Sequence, residues 1–130
     1  MKKINRILIA NRGEIAVRIM KTARAMGIEC VAIRTEAEPN AMYLLSADII
    51  HDETEMSAEI PVFLDVEKLV TVALENQCDA VHPGYGFLAE NAYFANRCHD
   101  SELIFIGPSA DAIYKMGNKT VAKQIALKHK

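Results

Sequence analysis

Ile7-Leu8-Ile9-Ala10-Asn11-Arg12-Gly13-Glu14 is the stretch on which the fold turns. Residues 7–10 form an unbroken apolar run, as a strand buried on both faces of a parallel sheet requires. Asn11-Arg12-Gly13 breaks the run, and the apolar spacing then becomes helical. Ile15, Ala16, Ile19, Met20, Ala23 and Met26 fall on one face of a helix predicted from about Glu14 to Met26. Glu14, Arg18 and Lys21 fall on the other face, with Glu14 and Arg18 at i,i+4. Gly27 supplies the stop. Strand, glycine turn, amphipathic helix and glycine stop open a βαβ unit.

The same grammar continues outward. A first strand is predicted over Ile4 to Ala10 and a second over Ile28 to Arg34, the latter centred on Cys30-Val31-Ala32-Ile33. Thr35 to Asn40 reads as a loop, and Asn40 as the cap of a short helix through Ala47. Asp48-Ile49-Ile50 is a short third strand, and His51 to Glu59 an exposed acidic loop whose role is solvation. Asp65 caps a helix through Gln77, with Val66, Leu69, Val70, Ala73 and Leu74 as its apolar stripe. A strand at Asp79 to Val81 follows, then a helix from Leu88 to Cys98 burying Phe94, Ala95 and Cys98. Leu103 to Ile106 is the last strand, Ser109 caps a short helix through Met116, and a final helix opens at Asn118. Strands alternating with helices give the α/β class: a doubly wound, mostly parallel sheet of about five strands with helices on both faces. That final helix meets no stop signal by Lys130, so a longer chain is expected.

Composition removes several function classes. A net charge of −2 offers no surface for a polyanion, and no basic aromatic stripe suggests nucleic acid. No apolar run reaches the length of a membrane span. Met1-Lys2-Lys3 is followed by too short an apolar run for a signal peptide. The three cysteines, Cys30, Cys78 and Cys98, are odd in number and include no CxxC pair, which argues against a disulfide framework and for a reducing, cytoplasmic setting. Cys78 and His82 have the nearest thing to metal-ligand spacing, but a zinc site needs about four ligands, and no metal site is expected.

Two places carry chemistry. The first is His82-Pro83-Gly84-Tyr85-Gly86-Phe87-Leu88-Ala89-Glu90-Asn91. Pro83 fixes a φ angle, and Gly84 and Gly86 permit conformations and approaches that a Cβ forbids. Tyr85 sits between the two glycines where a strand ends, the place where open α/β sheets bind ligands. The alternative is a tight turn with the tyrosine packed inside. The second is Asn118-Lys119-Thr120, where a helix N-terminus and a lysine converge as an anion site; the alternative is a solvated surface lysine. The sequence holds no standard phosphate loop. The turn after the first strand has one glycine where the dinucleotide fingerprint needs three, and Glu14 at the helix start repels phosphate. Asn118 separates Gly117 from Lys119, which excludes a P-loop.

Three stretches together resemble one family: residues 7–16, His82 through Asn91, and Phe105-Ile106-Gly107-Pro108-Ser109 leading to Met116-Gly117-Asn118-Lys119. Their order and spacing are similar to the N-terminal domain of biotin carboxylase, an enzyme found alone or within acetyl-CoA, propionyl-CoA, pyruvate and 2-oxoglutarate carboxylases. The resemblance implies a Rossmann-like, pre-ATP-grasp domain over residues 1–117, with 118–130 as the first helix leading into an ATP-grasp domain. It implies a ligase that uses ATP, Mg2+ and bicarbonate to carboxylate biotin on a carrier protein or domain, passing through carboxyphosphate. Lys119 matches the family lysine that reaches the nucleotide. Tyr85 and Gly86 match positions bordering the biotin pocket, and Glu90 lies at the same cleft. No catalytic residue is assigned here, since those groups and the metal ligands are expected on later domains, and the 130 residues alone are expected to be inactive. The implied partners are those later domains, the biotin carboxyl carrier, a carboxyltransferase and a second copy in a homodimer. The sequence departs from the family in Asn118, where many members have Asp, in the segment Glu36 to Pro61, and at Lys21 and Ala25 near the family's dimer contact. The competing reading is a free-standing nucleotide-binding or dimerisation module without chemistry.

Overall fold

The apolar run at Ile7 becomes the centre of the sheet. In a computed structural model, which describes residues 3–54 and 60–116, the strands are β1 (Arg6–Ile9), β2 (Glu29–Arg34), β3 (Ile49–Asp52), β4 (Ala80–His82) and β5 (Ile104–Phe105). All four pairings are parallel and the order is β3-β2-β1-β4-β5. Ile7 faces Cys30 on one side and Ala80 on the other. The helices are α1 (Gly13–Ala25), α2 (Val66–Glu75) and α3 (Ala92–Asp100). Short 3-10 turns cover Met42–Ser46 and Val62–Leu64, and residues 110–116 are helical.

Alternation along the strands divides the interior in two, because successive side chains point to opposite faces. Ile7, Ile9, Cys30 and Ala32 meet Ala16, Met20 and Ala23 of α1. Leu8, Val31, Ile33 and Val81 meet Leu69, Val72, Phe94 and Cys98 of α2 and α3. Phe94 sets its ring edge-on to Phe105, with centroids 5.6 Å apart. Helices therefore lie on both faces, as the doubly wound reading expects.

Several local expectations stand. Asp65 accepts from the Lys68 N–H at 3.1 Å as the cap of α2. Gly27 takes φ +75 at the end of α1, and Ser109 Oγ accepts from the Ala112 N–H at 3.2 Å. Others are corrected. Met26 is 69% exposed because α1 ends one residue before it. On α2 Val72 is buried together with Leu69, Val70 and Ala73, and Leu74 is 51% exposed. The helix predicted from Leu88 begins only at Ala92, where Asn91 Oδ1 caps the Phe94 N–H at 2.8 Å. Asn91 itself is extended, at φ −99 and ψ 110, so a helix cannot run from Leu88 through it. Asn40 makes no helix cap, since the turn at Met42–Ser46 starts after Ala41 without a side-chain cap.

The acidic stretch after β3 is also not simply solvated. His51 and Asp52 belong to β3. Glu53, nearly buried, lies 2.7 Å from His51 Nε2 and 3.2 Å from Lys68 Nζ, tying the strand end to α2.

Candidate functional site at the carboxyl ends of β1 and β4

From β1 the chain moves off towards β2, and from β4 towards β5. Between these neighbouring strands the connections part, and the crevice outside their carboxyl ends is where such sheets hold ligands. Two segments border it: Ala10 to Gly13 after β1, and Pro83 to Asn91 after β4. The Ala10 N–H donates to the His82 carbonyl at 2.9 Å and carries the pairing to the edge of the crevice.

Asn11 joins the two segments. It is 2% exposed, the sole buried polar or charged residue among those described. Its Nδ2 donates to the Pro83 carbonyl at 2.8 Å and the Tyr85 carbonyl at 2.7 Å. Its Oδ1 accepts from the Arg12 N–H at 2.8 Å. A buried amide with these bonds made avoids the penalty of an unpaired polar group. Gly84 is required beside it. At φ +66 the backbone comes so close that a Cβ there would lie 2.6 Å from Asn11 Nδ2 and 2.9 Å from Ile15 Cγ2.

The loop is also braced by its own strand. The Gly84 N–H donates to His82 Nδ1 at 3.1 Å. With Nδ1 accepting, the neutral ring carries its proton on Nε2. Burial pushes the His82 pKa below its ordinary value, because the charged imidazolium loses solvation.

With its backbone carbonyl held, Tyr85 turns its ring outward and is 78% exposed. The packed-tyrosine alternative is thus overturned. Gly86 follows at φ +71, with nothing within 4 Å of where a Cβ would be, so the surface beside the ring is open. Phe87 lies 5.4 Å from Phe63 in a tilted ring pair, and buried Leu88 anchors the loop in the core below α2 and α3. Glu90 is exposed next to the α3 cap. Lys119 and Asn118 lie outside the described residues.

The loop separates two grooves. One, of ≈ 570 Å³, runs along α1 over Ile7, Ile15 and Ile19 to Tyr85. The other, of ≈ 460 Å³, lies between Arg12, Phe63 and Phe87. At its rim Arg12 Nε pairs with Glu38, which raises the arginine pKa and lowers that of the carboxyl. The loop after β2 is thereby tied to the turn after β1.

Such an arrangement can hold a ring by its faces and edges. Among the described residues no cluster of three His, Cys, Asp or Glu side chains could hold a metal. Cys78 lies in the core under α2 and α3 while His82 borders the α1 groove, so the pair does not share a site. Burial raises the thiols of Cys30 to about 11 and of Cys78 and Cys98 to about 12, which leaves them unreactive. No helix among the described residues is long and apolar enough to cross a membrane. Sequence reading passed over Asn11 as a strand breaker. The available signal was a polar amide directly after a fully apolar run, where a chain still inside the core needs a paired polar group.

A sequence model of the family described as biotin carboxylase, N-terminal domain, matches residues 3–113. Biotin carboxylase 1 of Bacillus subtilis is 49% identical over 93% of this chain and 27% of its own length. The mitochondrial pyruvate carboxylase of Homo sapiens is 42% identical over 97% of this chain and 11% of its own. Among solved structures, the biotin carboxylase domain dimer of the 2-oxoglutarate carboxylase from Hydrogenobacter thermophilus, in complex with MgADP, ADP and bicarbonate, superposes with a TM-score of 0.78. It is 40% identical, over 88% of this chain and 25% of that one. The chain thus spans about a quarter or less of each of these relatives.

Proposed function

The chain belongs to the biotin carboxylase N-terminal domain family, and on that footing we propose that it is the first domain of an ATP-dependent ligase that carboxylates carrier-borne biotin with bicarbonate. The observation that carries this reading onto the chain's own residues is the exposed Tyr85 ring beside open Gly86, at the point where the sheet's connections part. The bicycle of biotin offers an apolar thioether ring to a tyrosine face and a polar urea ring to unobstructed backbone next to it. In this reading Tyr85 and Gly86 border the biotin, and Glu90 lies at the same cleft.

The nucleotide is held mainly elsewhere. The turn after β1 has Glu14 in the first turn of α1 and no side-chain cap, which suits no phosphate. Lys119 is the group through which this domain reaches ATP, residues 118–130 lead into an ATP-grasp domain, and Mg2+ is bound there. A biotin carrier, a carboxyltransferase and a second copy of the enzyme complete the assembly. The buried thiols suit a reducing compartment, the cytoplasm being our choice, although the human relative is mitochondrial.

The test is Tyr85→Ala in the full-length enzyme. The KM for biotin rises while that for ATP stays level and the melting temperature holds. An unchanged biotin KM would remove Tyr85 from the site.

A further inference from the structure

We propose that Asn11 is a positioning residue for the biotin-facing loop: it holds the backbone at Pro83 and Tyr85 so that the tyrosine ring is presented to substrate at a fixed height above the sheet. This inference rests on the reading of Tyr85 given above and extends it to a residue that touches no substrate. One side chain makes both bonds, with Nδ2 donating to the Pro83 and Tyr85 carbonyls at 2.8 and 2.7 Å. Its other end is fixed by the Arg12 N–H at 2.8 Å. The amide therefore cannot rotate without exchanging its donor and acceptor ends, and either exchange sets like against like.

The loop has few other holds near the ring. Gly84 donates to His82 Nδ1, the Ala89 N–H donates to the Gly86 carbonyl at 2.9 Å, and Leu88 is buried. Tyr85 is bracketed by glycines at φ +66 and +71, so its own stretch of backbone is intrinsically free. Asn11 removes that freedom before substrate arrives, which is how preorganisation improves binding. The amide is also sealed in, at 2% exposure, with Gly84 packed so closely that a Cβ there would lie 2.6 Å from Asn11 Nδ2.

The test compares Asn11→Asp with the native full-length enzyme across pH, with biotin as the varied substrate. In the variant Oδ1 still accepts from Arg12, but an oxygen replaces the nitrogen that faced two carbonyls. The ionised form repels them, whereas the protonated form donates one bond back. We expect a biotin KM raised by about thirtyfold at neutral pH, the effect of the two lost hydrogen bonds, with the ATP KM unmoved. The ratio of variant to native biotin KM should shrink as pH falls from neutral. A residue serving only the fold would raise both KM values together or lower the amount of active enzyme with neither changed. Either result overturns the proposal, as does a biotin ratio near one. If Asn11→Asp does not accumulate, Gly84→Ala presses the same contact from the loop side and must show the same split between biotin and ATP. Tyr85→Ala is measured alongside. If it leaves the biotin KM unchanged, both this inference and the reading beneath it fall; if it raises the biotin KM while Asn11→Asp does not, this inference alone falls.

Discussion

Arg97 donates twice to Glu67, from Nε at 2.9 Å and from Nη2 at 3.1 Å, one bond to each carboxylate oxygen. This fork couples α3 to α2 on the protein's outer surface. Tyr93 adds its hydroxyl to the same carboxylate at 2.8 Å.

The first prediction concerns acid. Hydrogen bonds from Arg97 and then from Tyr93 pull the Glu67 pKa from 4.5 down to about 2. Because the folded value is the lower one, its stabilising effect is complete above 4.5 and disappears as pH falls towards 2. The site is exposed, so the effect is small and weakened by salt. Thermal melts of the native chain and Glu67→Gln should differ slightly at neutral pH and converge near pH 2. Curves that stay parallel down to that pH would contradict the fork.

His82 should behave oppositely to a surface histidine. Its folded pKa lies below the ordinary 6.5 because burial disfavours the charge. The unfolded chain takes up a proton first, so the contribution of His82 is fully present above 6.5 and is lost as pH falls through the folded pKa. A protonated ring also loses the acceptor that holds the Gly84 N–H. Ring resonances followed by NMR should titrate below 6.5, with the Gly84 amide shifting in step. A midpoint at or above that value would show the ring to be solvated.

Two leucines on α2 provide a packing test. Leu69 is fully buried, and Leu69→Ala should cost about 2–5 kcal/mol. Leu74 is half exposed, and Leu74→Ala should change stability by no more than about 0.5 kcal/mol. Denaturant unfolding measures both. Equal costs would mean that α2 is rotated from the orientation described.

The isolated domain should fold with a cooperative melt yet bind Mg-ATP poorly. A charge-assisted contact from one lysine contributes about 1.5–3 kcal/mol, whereas micromolar affinity needs about 8 kcal/mol. Calorimetry should find no saturation at micromolar nucleotide. In the full-length enzyme Lys119→Gln should raise the ATP KM without altering the melt. Tight binding by the domain alone would favour the free-standing module.

The architecture was legible because its signals were redundant. The Ile7–Ala10 run, the Gly27 stop and the Asp65 cap each indicate the same βα alternation. Individual faces were less legible. Leu74 and Val72 are both apolar on a helix whose buried arc is wide, and the way the helix seats on the shared core decides between them. The late start of α3 was hidden because Leu88, Ala89 and Glu90 are good helix formers, while the extended cap that sets it, Asn91, lies inside the predicted span. Asn11 was hidden for a similar reason: its partners are backbone carbonyls far along the chain, which no local pattern records.

Ile7 is paired to Cys30 on one edge and to Ala80 on the other, and this has a consequence for synthesis. β2 reaches β1 early, but β4 is translated much later, after α2. Until residues 80–82 emerge, the central strand of the sheet keeps one row of amides and carbonyls open beside a nascent chain. Such an edge is a template for pairing with other copies. Products of translation interrupted before β4 should therefore aggregate, whereas those that include it close the edge within their own chain.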